Sequence, residues 1–189
     1  MLEELIKIDK ELFLYLNGLG TPLWDGFWMY LSRTFSFVTI PIYFFVLFYS
    51  YRIFGLKKTI LVLLIVTLLI ISTEQLSILF KNGIARLRPC YDDEIKDATR
   101  LVKGYCGGKF SYFSAHAANS SAFAIFFGIL FMKKNKLLFF LLITWVLLVS
   151  YSRIYLGVHF PLDVLTGIVF GIFFGWLFVA MFFTLRTRI

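Results

Sequence analysis

The stretch TILVLLIVTLLIISTEQLSILF, residues 59–80, decides the fold. Glu74 is its one ionisable residue, and the rest is aliphatic or weakly polar. As a helix it is long enough to cross about 30 Å of hydrocarbon, which takes roughly 20 residues. Four further apolar runs flank it, at residues 27–51, 113–132, 137–151 and 160–183. Ser32 and Arg33 sit near the start of the first, so its continuous apolar part begins at Thr34. The fourth is short and extends through Arg153. With 60% hydrophobic residues and 24 phenylalanines, a chain of 189 residues carries more apolar surface than a soluble domain of this size hides. The expected class is therefore all-α: a polytopic transmembrane helix bundle with about five spans, forming a single membrane domain over residues 1–189 with its transmembrane core at 27–183.

Ahead of the spans, residues 1–22 read as an amphipathic helix lying on the membrane surface. Leu2, Leu5, Ile6, Leu12, Phe13 and Leu16 fall at roughly helical spacing, and Asp9 is the one polar intruder on that face. Glu3, Glu4, Asp9 and Glu11 give this segment the wrong charge for the start of a cleavable signal peptide.

The formal net charge of +8 would raise the question of nucleic acid in a soluble protein. Here the charges lie between apolar runs, so membrane topology explains them and no nucleic-acid partner is expected. Arg52, Lys57 and Lys58 follow the first span, Lys133, Lys134 and Lys136 the third, and Arg186 and Arg188 the fifth, with no acid among them. The positive-inside rule places these three positions in the cytoplasm. The connection at residues 81–112 and the short one near residues 153–159 then face outward. Both cysteines, Cys90 and Cys106, fall in the outward connection. A disulfide there would close a loop of about 15 residues, worth roughly 3 kcal/mol in the chain-entropy account. Free or unrelated thiols are the other reading.

Three polar clusters converge on the outer ends of the spans. They are Lys81 with Arg88-Pro89, then Phe113-Ser114-Ala115-His116, then Ser152-Arg153 with His159 and Asp163. The chain's two histidines both belong to them. Lys81, Arg88 and Arg153 supply cations for an anionic group, and the arginines can bind phosphate oxygens as forks. Ser114 is placed to cap the third span, whose first-turn N–H groups would face an anion. His159 and Asp163 are one helical turn apart, with Pro161 suited to the first turn, so the carboxylate can fix the imidazole tautomer. Arg86 falls outside this spacing and reads as a headgroup anchor. Glu74 lies about two turns before Lys81, either as an ion-pair or hydrogen-bonding partner near the site or as a neutral acid beside a polar neighbour. Asp92, Asp93, Glu94 and Asp97 read as a solvated run without metal-ligand spacing.

The order Lys81-x6-Arg88-Pro89, Ser114-Ala115-His116, Ser152-Arg153-x5-His159-x3-Asp163 resembles the three-part signature of the type 2 phosphatidic acid phosphatase family, which vanadium haloperoxidases share. The likeness runs from Lys81 to Asp163. It departs in the middle, where the family reads Pro-Ser-Gly-His and this chain has Phe113 and Ala115. The resemblance implies a lipid phosphatase without cofactor or metal. Its catalytic set would be His159 as nucleophile forming a phosphohistidine, His116 as general acid and then base, and Asp163. Lys81, Arg88, Ser114, Ala115 and Arg153 would bind the phosphate. Polyprenyl pyrophosphate and lipid A phosphates lead the implied membrane-lipid substrates, ahead of phosphatidylglycerol phosphate and phosphatidic acid. The site would face the periplasm or outer leaflet of a bacterial inner membrane. A lipid phosphotransferase using the same residues is the alternative. The apolar spans argue against a haloperoxidase, and the lack of charges along several midplanes argues against a transporter.

Overall fold

The computed structural model describes every residue except Val38, Lys103, Tyr105 and Ile189. Six α-helices follow one another: α1 (Leu2–Gly18), α2 (Pro22–Leu31), α3 (Thr39–Ile84), α4 (Ala115–Phe131), α5 (Lys136–Tyr155) and α6 (Pro161–Leu185). Short 3-10 turns at Pro89–Tyr91 and Lys96–Ala98 punctuate the connection between α3 and α4. Among the described residues, extended pairing is limited to one isolated antiparallel bridge, Leu87 with Phe110. Three helices, α3, α5 and α6, are long and apolar enough to cross a membrane, and α4 is a shorter apolar helix.

The axis of the bundle is the α4–α6 pair, and small residues set its spacing. Gly167, Gly171 and Gly175 recur every fourth residue on α6. A Cβ at Gly171 would lie 2.4 Å from the Ala118 carbonyl, and one at Gly175 would lie 2.6 Å from that of Ala122. Backbones this close need hydrogen at those positions, the small-residue helix contact typical of membrane proteins. The same packing brings the N-terminal ends of α4 and α6 together, where the Ser114 N–H donates to the Asp163 carbonyl at 3.0 Å.

The long helix α3 is interrupted at Gly55, whose φ of 75° is left-handed and suits glycine. Its two arms run in opposite directions along α4. In the first arm Tyr43 meets Phe123, and Tyr49 meets Phe131 further down. In the second arm the order reverses, ending with Thr73 on Asn119 and Ser77 donating to the Phe113 carbonyl at 3.1 Å. The first two expected spans therefore meet at a break rather than across a loop.

The first expected span, at residues 27–51, is corrected at its start. Helix α2 stops at Leu31 and α3 begins only at Thr39, because Ser36 and Thr39 cap each other. The Ser36 N–H donates to Thr39 Oγ1 at 2.9 Å, and the Thr39 N–H donates to Ser36 Oγ at 3.2 Å. The other three expected runs keep their places within a few residues, and α5 does extend through Arg153.

Helix α1 forms where expected, and one side of it docks on the bundle. It buries Asp9, Phe13 and Asn17, while Leu2, Leu5, Ile6 and Leu12 are exposed. The Asn17 amide donates to the carbonyls of Arg100, Ile154 and Tyr155, and its oxygen accepts the Arg100 N–H at 2.8 Å. In the acidic run of the 85–114 connection, Asp93, Glu94 and Asp97 are exposed as expected and Asp92 is half-buried, and Lys10 of α1 holds Asp92 at 2.7 Å and Glu94 at 2.8 Å. Cys90 and Cys106 pair as a disulfide, with Cα atoms 6.1 Å apart.

Candidate active site

His159 lies in the short connection between α5 and α6 and is 2% exposed. Gly157 makes that turn possible. Its φ is +77°, and a Cβ there would lie 2.6 Å from the Arg100 carbonyl. Pro161 opens α6, and Asp163 sits in its first turn, where Oδ2 accepts the Phe160 N–H at 2.9 Å. The same Oδ2 is 3.5 Å from His159 Nδ1. That is an ion-pair distance slightly longer than a formed hydrogen bond, as resting catalytic contacts often are.

The three expected cations surround this imidazole. Burial first, then the positive charges of Arg153, Arg88 and Lys81, hold His159 well below its ordinary value of 6.5. A neutral ring with one nitrogen turned to a carboxylate keeps a lone pair on the other. Arg153 is 6% exposed and donates to the Ser32 hydroxyl. Arg88 donates to the Val158 carbonyl at 3.3 Å, just before His159. Lys81, in the last turn of α3, lies within Coulombic reach of Arg88, Arg153, Asp163 and Glu74.

The middle cluster opens α4. Ser114 caps the helix, its hydroxyl accepting the Ala117 N–H at 3.5 Å, and His116 stands in the first turn. Ala115 is the first helical residue and has no positive φ, so alanine in place of glycine asks no shift of this backbone. Phe113, in place of proline, is fully buried with its ring 5.4 Å from Phe80 and 5.0 Å from Phe170. Both departures from the family pattern are accommodated by local packing.

Every expected site residue thus gathers at one end of the bundle. The sequence reading missed two residues that join them. Arg86 is not a headgroup anchor: it bridges Asp163 Oδ1 at 3.0 Å and Asp9 Oδ2 at 2.6 Å. Asp9 is 3% exposed. An acid on the face of a helix that otherwise packs inward is the signal that could have found it, because a buried charge calls for a partner. Glu74 resolves to hydrogen bonding: its Oε1 accepts from the Asn119 amide, and Asn119 Oδ1 accepts from Thr73.

Beside His116 opens an apolar cavity of about 440 Å³. His116, Glu74 and Asn119 line it together with Phe123, Phe127 and Val149. From His116 to Phe127 along α4 is about 16 Å at 1.5 Å per residue.

A membrane helix bundle with paired histidines and clustered cations at one end defines an anion-handling integral membrane protein. Comparison with known proteins identifies the family. The model of the PAP2 superfamily matches residues 58–187, and the chain belongs to that family. The chain is 35% identical to a lipid A 4'-phosphatase of Porphyromonas gingivalis, over 99% of this chain and 78% of that protein. It is 31% identical to an undecaprenyl-diphosphatase of Sulfolobus acidocaldarius, over 95% of this chain and 81% of that one. Among solved structures, that of Aquifex aeolicus LpxE matches with a TM-score of 0.69 and 26% identity, covering 90% of this chain and 93% of that one.

Proposed function

We propose that this chain, a membrane lipid phosphatase of the PAP2 type, removes a phosphate from lipid A or a closely similar phosphorylated glycolipid through a phosphohistidine on His159. The observation that carries the reading is the buried His159, 3.5 Å from Asp163 and within reach of three cations. Lys81, Arg88 and Arg153 hold the phosphoryl oxygens, together with Ser114 and the Ala115 N–H at the start of α4. Asp163 takes the Nδ1–H, and Nε2 attacks phosphorus. As the new N–P bond forms, the bond to the leaving oxygen breaks and His116 gives that oxygen its proton. Water then attacks the phosphohistidine, its proton goes to His116, and inorganic phosphate departs with His159 restored. Charge stabilisation and positioning supply most of such a reaction, and the residues named need no metal.

Two things support the glycolipid. The relative that covers 99% of this chain is named for lipid A. The cavity beside His116 is lined largely by apolar side chains, which fits the lipid part of an amphiphile. In the bilayer we place five crossings, counting α3 as two because its arms run oppositely. Helix α1 lies in the interface with its exposed leucines toward lipid. The positive-inside rule turns the site outward, to the periplasm of a bacterial inner membrane, where the Cys90–Cys106 disulfide is stable.

The test is phosphate release from a panel of purified lipids in detergent: lipid A, undecaprenyl pyrophosphate, phosphatidylglycerol phosphate and phosphatidic acid, each beside His159→Ala. Highest kcat/KM on lipid A is expected, unchanged by excess chelator. A tenfold preference for the polyprenyl pyrophosphate would overturn the substrate, and turnover by His159→Ala would overturn the mechanism.

A further inference from the structure

We infer that Asp9 of the N-terminal helix is a positioning residue for the nucleophile, acting through Arg86 and Asp163. The inference rests on the reading of His159 given above and adds a residue that lies outside the family-like motif.

Both Asp9 oxygens are committed. Oδ2 receives Arg86 Nη2 at 2.6 Å, and Oδ1 receives the Leu162 N–H at 2.9 Å. Leu162 immediately precedes Asp163, so Asp9 caps the first turn of α6 from outside while Asp163 caps it from within through Phe160. Arg86 spends its other nitrogen on Asp163 Oδ1 at 3.0 Å. The Asp163 carboxylate is therefore pinned on one oxygen by Arg86 and on the other by the Phe160 N–H, with Oδ2 left turned toward His159. The guanidinium stacks over the Phe160 ring with Cζ 3.9 Å from its centroid, and Phe160 meets Phe13 of α1 at 5.3 Å. Asp9 and Phe13 are one turn apart on α1, so the helix grips this assembly by one polar and one aromatic side chain.

Charge gives Asp9 a task beyond holding α1 in place. Arg86 paired with Asp163 alone would neutralise the carboxylate that must stabilise positive charge on His159 as the N–P bond forms. A second carboxylate on Arg86 leaves the trio of Asp9, Arg86 and Asp163 at a net −1, so Asp163 keeps its pull on the imidazole. Geometry and electrostatics thus call for an acid at position 9, not merely a polar residue. Asp9 reaches the site through Arg86 and the Leu162 N–H and not through the phosphate-binding set named above, so substrate affinity should be nearly indifferent to it.

The experiment measures kcat and KM on the substrate found above for the wild type, Asp9→Asn, Asp9→Glu, Phe13→Leu and His159→Ala, with thermal unfolding in detergent beside each. Asp9→Asn keeps size and hydrogen bonding but drops the charge. Its kcat should fall about 10- to 100-fold with KM within about threefold, the range for residues that orient a catalytic ligand. Asp9→Glu should recover part of that loss. Phe13→Leu should lower the unfolding temperature with a smaller loss of kcat than Asp9→Asn shows. An unchanged kcat in Asp9→Asn overturns the inference and leaves the His159 reading intact. A loss in Asp9→Asn that follows unfolding temperature as Phe13→Leu does reduces Asp9 to a structural anchor and equally overturns it. Activity in His159→Ala removes the reading itself, and the inference falls with it.

Discussion

Two carboxylate clusters flank the two histidines, and they are built in opposite ways. On the His159 side, the buried carboxylates of Asp163 and Asp9 share the half-buried guanidinium of Arg86. On the His116 side, Glu74 accepts from the neutral Asn119, which in turn accepts from Thr73, and borders an open apolar cavity. A nucleophile gains from being fixed, because small errors in attack geometry are costly. The partner of a leaving group must leave room for whatever that group is. The difference predicts that substitutions near His159 act on kcat, and that those near Glu74 act on substrate choice and KM.

The largest effect should come from His159→Ala, which removes the attacking nitrogen. Phosphate release should fall to the background of the assay, and rapid quenching with labelled substrate should trap no phosphoenzyme. His116→Ala comes next. Loss of a positioned acid costs about 10²- to 10⁴-fold in kcat, and the loss should be smaller on a pyrophosphate, whose leaving group needs less protonation. An equal loss on both substrates would break the assignment of His116 to the leaving-group side.

The sequence carried the chemistry better than the scaffold that aims it. Lys81, Arg88, His116, Arg153, His159 and Asp163 stood out because their order and spacing resemble the family signature, and they gather at one end of the bundle. Arg86 and Asp9 were not, since their contact joins positions 77 residues apart and nothing local announces it. The same limit hid the docking of α1 on the bundle through Asp9, Phe13 and Asn17, which a reading as a surface helix does not foresee. The start of α3 was misread for a different reason. Apolar neighbours disguised the Ser36–Thr39 cap, and hydropathy alone continues across it. The glycines at 167, 171 and 175 are regular in the sequence, but their meaning depends on α4 lying opposite.

A smaller effect concerns pH. Protonated His159 cannot attack, and its burial among Arg153, Arg88 and Lys81 holds its pKa below 6.5. A hydrogen bond to the Ser111 backbone pulls the other way and is outweighed. Because the folded value is depressed, the neutral form persists as pH falls through 6.5 and is lost only further down. The acid limb of the phosphoenzyme-forming step should therefore lie below pH 6.5, measured by single-turnover quench on a substrate whose own phosphate titration is known. A limb above that value would mean that the cations do not face the ring during catalysis.

The smallest effect sharpens the contrast most. Glu74 lies within Coulombic reach of Lys81 but hydrogen-bonds Asn119. In Glu74→Gln the amide oxygen can still accept from Asn119, so the wall of the cavity keeps its shape. What changes is the charge that offsets Lys81. With it gone, Lys81 presents a stronger field to the phosphate, and KM should fall by about twofold with kcat unchanged. Glu74→Ala differs, because it leaves the Asn119 amide without its acceptor, and KM should rise instead. Opposite shifts in KM from two substitutions at one position would mark Glu74 as part of the substrate-facing wall. A tenfold fall in kcat for Glu74→Gln would instead put the carboxylate into the proton path of His116, and the two sides of the site would no longer divide between fixing the attack and admitting the lipid.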